Sequence, residues 1–387
     1  MPGAVDVVIA ARNEAAKLGE CLAALATQTY AEGPITVIVV DDASTDATTD
    51  VARRGGATVL RGAGAGPAAA RNAGLRYGAA PLVAFLDAHS IPEPNWVSAL
   101  TARFVDPQLG GCQAATSRGA TDPRVDALIA ASGAHSDDEL LDLTVSGRRS
   151  LYPWLLTGNC MYRRAALDDA GMFDESLAAA EDVDLAWRVV LAGWLLAYEP
   201  ETGVVHHEGK PLARFLRKGW RYGRGAAQLT GAYMSHGVGG KFSPRGLRRP
   251  SRSETISNLY YWAGFTAGRL DRRHRPEPRP VIDVRRFRDP FVWQGTMAVR
   301  ISPRTVYWFR GASVVAVQLD RHERVVLDGV GAFVWRSLTG GASRKNVIDA
   351  TVATYAVQAV TAAADVDDFV RELLSLRLLE EVDPAGG

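Results

Sequence analysis

Apolar runs that stop at polar clusters alternate with segments of helical period through the first third of the chain. Val5 to Ala11 is apolar apart from Asp6, gives way to Arg12-Asn13-Glu14, and precedes Leu18, Cys21, Leu22 and Leu25 on one helical face. Ile35 to Val40 repeats the pattern, ending in Asp41-Asp42-Ala43-Ser44-Thr45-Asp46 before a helical segment over Thr48 to Arg54. Ala57 to Leu60 predicts a third strand and Pro81 to Leu86 a fourth, the latter closing on Asp87-Ala88-His89. Successive β-α units predict a parallel sheet with its loops gathered at one edge, where open α/β sheets place their ligand sites. A carboxylate and an imidazole two positions apart at such an edge can share one divalent cation if both face the same way; the plainer reading is a polar turn.

Further on the pattern thins and then returns. The acidic run Ser136-Asp137-Asp138-Glu139 reads as solvated charge. From Glu181 a helix is predicted in which Leu185 buries, Asp184 and Arg188 pair at i,i+4, and Glu181-Asp182 occupy the first turn. Acidic residues there also have a plain electrostatic reason, compensation of the helix dipole. Val204-Val205-His206-His207 predicts a strand end, and Ile256 to Leu270 a weakly amphipathic aromatic helix that packs under the first domain. In the tail, short strands are predicted within Val306–Phe309, Val314–Leu319 and Arg324–Leu327, then helices over Gly329–Leu338, Val347–Thr354 and Val366–Leu376. The expected division is a catalytic domain over 1–235, an arginine-rich extension and linker over 236–289, and a small domain over 290–387.

Composition narrows the classes. With 387 residues, 47% hydrophobic and 22% charged, the chain suits two folded domains rather than disorder. A net charge of +1 removes any global bias toward nucleic acid. Between His236 and Asp289 twelve arginines and one lysine stand against five acids, but no stacking platform accompanies them, so a nucleic-acid partner is not expected. Cys21, Cys112 and Cys160 are too few and too scattered for a disulfide framework and fit a reducing compartment. No run approaches the ~20 apolar residues of a membrane span, and the start lacks a signal-peptide pattern; a soluble, cytoplasmic protein is expected. Gly62 to Gly66 carries no Gly-Lys-Ser/Thr, so it reads as a flexible loop and not a phosphate loop. Arg71, at a predicted helix start, can serve either as a surface ion pair or as the neutraliser of a diphosphate.

Four ordered segments carry a resemblance: Val8 to Glu14, Val39 to Asp46, Ala70-Arg71-Asn72-Ala73-Gly74, and Phe85 to His89. Together they resemble the signature of family 2 glycosyltransferases with the GT-A fold, a Rossmann-like mixed α/β sheet with helices on both faces. That resemblance implies a nucleotide-sugar donor, a UDP-sugar above others, and inversion at the sugar carbon. By position it implies that Ala11, Arg12, Glu14, Asp41 and Asp42 bind the nucleoside, that Arg71 and Asn72 lie near the diphosphate, and that Asp87 belongs to the metal motif. Asn159, in Leu155 to Arg164, is implied as a sugar contact, its plainer reading being a turn residue. Glu181-Asp182 resembles the family's Glu-Asp pair, with Asp182 as general base; an attacking hydroxyl must lose its proton, so the chemistry asks for one. The resemblance also implies His206 as a metal ligand, with His207 the alternative if the alignment slips by one.

The departure is His89, where the family usually has a second aspartate. Imidazole is a competent ligand for Mn²⁺ and a poor one for Mg²⁺, so Mn²⁺ is the expected ion.

The tail, with Ala332 to Leu338 after its last predicted strand and Leu376 to Glu380 at its end, resembles PqqD-like peptide-recognition domains, small winged-helix-like folds of a three-stranded sheet and three helices. That resemblance implies a precursor's leader peptide added as a strand beside Glu323, Arg324, Val325, Val326 and Leu327 and gripped by Phe369 and Leu373 of the last helix. The expected function is metal-dependent transfer of a sugar to a Ser, Thr or Cys side chain of that precursor. Two alternatives stand beside it: a transferase for a small molecule, lipid or polysaccharide with a structural tail, and an inactive module that binds nucleotide sugar and peptide.

Overall fold

The computed structural model describes residues 3–119, 144–145, 148–149, 152–177, 179–207, 212–236, 252–271, 277–279, 291–294, 297–310, 312–321 and 323–382. The acidic run at 136–139 lies outside the described residues, as does much of the basic stretch between 236 and 289. Two compact units divide the chain, Met1–Val189 with Leu196–Arg279, and Val190–Leu195 with Pro280–Gly387.

The first unit opens with β1 (Val5–Ala11), α1 (Ala15–Ala26), β2 (Ile35–Asp41), α2 (Thr48–Arg54), β3 (Thr58–Arg61), α3 (Pro67–Tyr77) and β4 (Leu82–Leu86). It continues through β5 (Ser90–Pro92), α4 (Trp96–Arg103), β6 (Leu109–Arg118), a small ribbon of β7 (Thr144–Val145) and β8 (Arg148–Arg149), β9 (Asn159–Arg163), α5 (Arg164–Ala170), α6 (Glu181–Leu191), β10 (Leu195–His206), α7 (Leu212–Ala232) and α8 (Arg252–Leu270). Among the described residues eight strands form one sheet in the order β3-β2-β1-β4-β9-β6-β10-β5. Pairing is parallel from β3 to β4 and antiparallel in the β4-β9, β9-β6 and β10-β5 pairs, so the sheet is mixed, as the GT-A resemblance implies.

Physical chemistry explains the central strands. Val7, Ile9, Val39, Val83 and Phe85 are fully buried, as expected where helices cover both faces and a strand reads as a continuous apolar run. Parallel register aligns Ala11 with Asp41, so the polar residues after β1 and β2 emerge at one edge. Helix α8 contains the predicted aromatic segment and packs along α7. Backbone contact needs glycine here: a side chain on Gly223 would run into the Tyr261 carbonyl, and one on Gly264 into that of Trp220.

The second unit holds β11 (Phe291–Gln294), β12 (Met297–Ile301), β13 (Thr305–Arg310), β14 (Ser313–Gln318), β15 (Glu323–Leu327), α9 (Gly329–Thr339), α10 (Arg344–Tyr355), α11 (Ala359–Ser375) and β16 (Leu379–Val382). The predicted sheet is β13-β14-β15, with β15 at its edge, and the three predicted helices follow. A second sheet, β11-β12-β16, is absent from the sequence expectation: it pairs Ile301 with Leu379, and such distant antiparallel pairing leaves no local pattern. Ala332, Trp335, Val347, Val366 and Val370 build the core on the helical side. No single helix among the described residues is long and apolar enough to cross a membrane.

Candidate active site

The loops at the C-terminal ends of β1 and β2 are stitched together. Asn13 N–H donates to Ser44 Oγ at 2.9 Å, Thr45 N–H to Asn13 Oδ1 at 2.8 Å, and Glu14 N–H to Thr48 Oγ1 at 2.9 Å. The two adjacent aspartates then separate in role. Asp41 accepts from Ser44 N–H and the Thr49 hydroxyl; burial pushes its carboxyl up, but these bonds outweigh it and hold it below the ordinary value. Asp41 thus builds the turn after β2. Asp42, 4% exposed, takes Gly66 N–H on Oδ2 at 2.9 Å, while its Oδ1 is buried with no hydrogen-bond partner. A buried oxygen without a partner costs about 1–3 kcal/mol, which a bound donor group would recover. Ala11 is buried, Arg12 is exposed, and Glu14 is half-buried.

Strand β4 ends at Leu86, and Asp87-Ala88-His89 turns the chain into β5. Strand β5 pairs antiparallel with β10 so that Ser90 faces His206, and Ser90 Oγ lies 3.0 Å from His206 Nδ1. Asp87, His89 and His206 each offer one ligand atom, all within 4.8 Å of one another. Asp87 Oδ2 is 4.0 Å from His206 Nδ1, and the two imidazoles stand edge to face at 4.6 Å. His89 Nδ1 is buried without a hydrogen-bond partner, 3.6 Å from Glu14 Oε2. An orphaned ring nitrogen beside a carboxylate and a second imidazole fits a divalent cation, so these three residues are the ones that would hold it. His207 is not part of the group: its ring packs on Gly119, where any side chain would collide with it.

Arg71, 7% exposed on α3, connects this trio to the Glu181-Asp182 pair. Its Nη1 is 2.8 Å from Glu181 Oε1, its Nη2 is 3.5 Å from Asp87 Oδ1, and its guanidinium sits 5.7 Å from the Phe173 ring centre. Burial works against its charge, but Glu181, Asp87 and Asp182 hold the guanidinium above its ordinary value. Asp182 is half-buried in the first turn of α6, accepting from Val183 N–H at 2.9 Å. Burial first and Glu181 second push its carboxyl up to about 7, against the pull of Arg71.

Helix α6 is held by one ion pair that the sequence predicts and by distant groups that it does not. Asp184, fully buried, pairs with Arg188 at 2.7 Å as the i,i+4 spacing predicts. It also accepts from Tyr233 Oη at 3.0 Å and Arg279 Nε at 3.1 Å, while Arg279 Nη2 reaches Asp174 at 2.6 Å. Ser90 is the other residue that sequence reasoning missed; its role exists only through the β5–β10 pairing.

Several expected contacts are structural. Asn159 is 2% exposed, with Oδ1 accepting from Trp96 Nε1 at 2.7 Å and its amide donating to the Ala114 and Ala115 carbonyls, which makes it a hydrogen-bond hub of the core. Asn72 donates to the Phe173 carbonyl and Glu175 and accepts from Phe173 N–H, tying α3 to the approach to α6. In the second unit Leu327 (6% exposed) and Leu373 (0%) belong to the core. Glu323 and Val326 are exposed on the edge strand, Arg324 and Val325 half-buried, and Phe369 half-buried against Gly331.

Residues 6–170 match the family model described as "Glycosyl transferase family 2", and residues 313–379 the model for "Coenzyme PQQ synthesis protein D (PqqD)". The chain is 32% identical over 238 residues to the pre-mycofactocin glycosyltransferase of Mycobacterium tuberculosis, covering 58% of this chain and 47% of that protein. It thus spans about half the length of that relative. It is 27% identical over 235 residues to glycosyltransferase AglE of Haloferax volcanii, covering 58% of this chain and 73% of that one. Among solved structures, the mannosyltransferase PcManGT of Pyrobaculum calidifontis aligns with a TM-score of 0.45 at 20% identity, over 69% of this chain and 73% of that chain. Residues 6–170 therefore form a glycosyltransferase family 2 domain and residues 313–379 a PqqD domain.

Proposed function

We propose that this protein is a metal-dependent, inverting glycosyltransferase that moves a sugar from a UDP-sugar to a Ser, Thr or Cys side chain of a ribosomally made precursor peptide, whose leader is bound by residues 290–387. The observation that carries it is one guanidinium, Arg71, spanning the Asp87-His89-His206 trio and the Glu181-Asp182 pair. Asp42 and the loop around Arg12 and Glu14 receive the nucleoside. Arg71 places fixed positive charge beside the leaving diphosphate, a stabilisation that strengthens as charge develops there. When bound by the trio, a divalent cation adds Lewis-acid charge to the same oxygens. Asp182, poised near neutrality, accepts the proton of the attacking group. In the second unit the edge strand β15 offers main-chain groups for an added strand, with Val326 and Phe369 as side-chain contacts.

Leader binding acts by tethering. Truncation after residue 289 is expected to leave donor hydrolysis unchanged and to lower transfer to the precursor by about a hundredfold, the scale on which effective concentration operates. In the full chain, excess free leader peptide should inhibit transfer competitively. Equal transfer by both forms, read by intact mass of the precursor, would remove the leader from the mechanism.

The imidazole at position 89 carries its own prediction. His89→Asp restores an all-oxygen pair at the turn and is expected to retain activity while shifting preference from Mn²⁺ toward Mg²⁺. A metal profile identical to that of the unaltered protein would show that His89 is not a ligand.

A further inference from the structure

A cavity of about 360 Å³ in the first unit adjoins the site built above, sharing Glu181 with it and touching it at Gly66 and Glu175. Its walls are the start of α3 at Gly66 to Ala68, the segment from Glu175 to Leu177, and Arg221 and Arg224 of α7; Glu181 is shared with the catalytic cluster. The volume falls within the ~300–1,000 Å³ of small-ligand sites. None of Asp87, His89 and His206 lines it.

The charges in its wall do not balance. Glu181 is neutralised by Arg71 at 2.8 Å, Glu175 by Arg76 at 3.3 Å, and Arg224 by Asp271 at 2.7 Å. Arg221 is exposed and has no ion pair or hydrogen bond among the described residues. The start of α3 adds little charge on the opposite wall, because Gly66 N–H is taken by Asp42 and Pro67 has no N–H to offer. The cavity thus carries one uncompensated guanidinium, Arg221, and shares Glu181 with the turn that carries Asp182.

On the functional reading above, which this inference rests on, we propose that the cavity is an acceptor subsite in which Arg221 binds a carboxylate flanking the attacking side chain. An inverting displacement needs its nucleophile on the face opposite the leaving diphosphate, and a cavity that reaches the Glu181-Asp182 turn through Glu181 and has no metal-trio residue in its wall meets this need. The same anion chemistry could come from the donor's phosphates, and the test separates the two.

Equilibrium binding to the full chain, with UDP and Mn²⁺ present, is measured by calorimetry for acetyl-Glu-Ser-Glu-amide and acetyl-Gln-Ser-Gln-amide. UDP affinity is measured in parallel. The acidic peptide should bind about fivefold more tightly, the upper end for a partly exposed ion pair. Arg221→Glu should abolish or reverse that preference, Arg221→Lys should keep part of it, and UDP affinity should not change in either. Equal or equally undetectable binding of the two peptides overturns the proposal. So does an Arg221→Glu variant that loses UDP affinity with the peptide ratio intact, since the anion would then belong to the donor. Because no turnover is needed, absence of sugar transfer would refute the functional reading while leaving the binding ratio to judge this one.

Discussion

Asp182→Asn is expected to lower kcat by about a thousandfold while leaving UDP-sugar affinity within a factor of about two, the range for loss of a positioned general base. The amide keeps the size of the carboxylate and its acceptor oxygen for Val183 N–H, so α6 retains its first turn. What it loses is the ability to take a proton. A carboxyl held at about 7 must ionise before it can act, so kcat/KM should rise with pH through that region and level off above it. Glu181 is the second contributor to the elevation and also neutralises Arg71. Glu181→Gln therefore removes a repulsion and frees an attraction, and the acidic limb should move to lower pH. A limb that stays in place would assign it to another group. Full turnover by Asp182→Asn would sink the base assignment, and an unaltered chain that turns over no nucleotide sugar would point to the inactive-module alternative.

Removal of one member of the metal trio should have an effect of comparable size. His206→Ala is expected to lower transfer by about a hundredfold to a thousandfold and to abolish the dependence of UDP binding on Mn²⁺, because charge at the leaving diphosphate is lost. His207→Ala, one position away, should change transfer by less than about threefold, since its ring packs on Gly119 outside the trio. Ser90→Ala falls between them: it removes the hydroxyl 3.0 Å from His206 Nδ1, and such orienting partners are worth about ten- to a hundredfold in metal affinity or activity. Calorimetric titration of UDP with and without Mn²⁺ checks all three. Equal losses in the two histidine variants would refute the placement.

Much of this site was legible before any coordinates. The strand ends at Ala11, Asp41 and Leu86 and the helix start at Glu181 follow from apolar runs that stop abruptly at polar clusters, a local property of the chain. The order of those clusters carried the family resemblance and with it Arg71, Asp87, His89 and Asp182. In the tail the same locality exposed three strands and three helices. It could not expose the β12–β16 pairing, which joins residues about eighty positions apart.

What local pattern could not decide is which side of each element a polar atom serves. Asp41 and Asp42 are neighbours of one type, yet Ser44 and Thr49 consume the first and leave the second with a buried, unpaired oxygen. Asn72 and Asn159 sit inside family-like segments, and partners distant in the chain satisfy them, among them the Phe173 backbone and the Ala114 carbonyl. The choice between His206 and His207 is of the same kind. Successive strand residues face opposite ways, and only the antiparallel register that sets His206 against Ser90 directs its ring to Asp87 and His89. The sequence determined which residue types stand at the loop edge, because that depends on the chain alone; their direction depends on partners far away in the chain, which tertiary structure alone supplies.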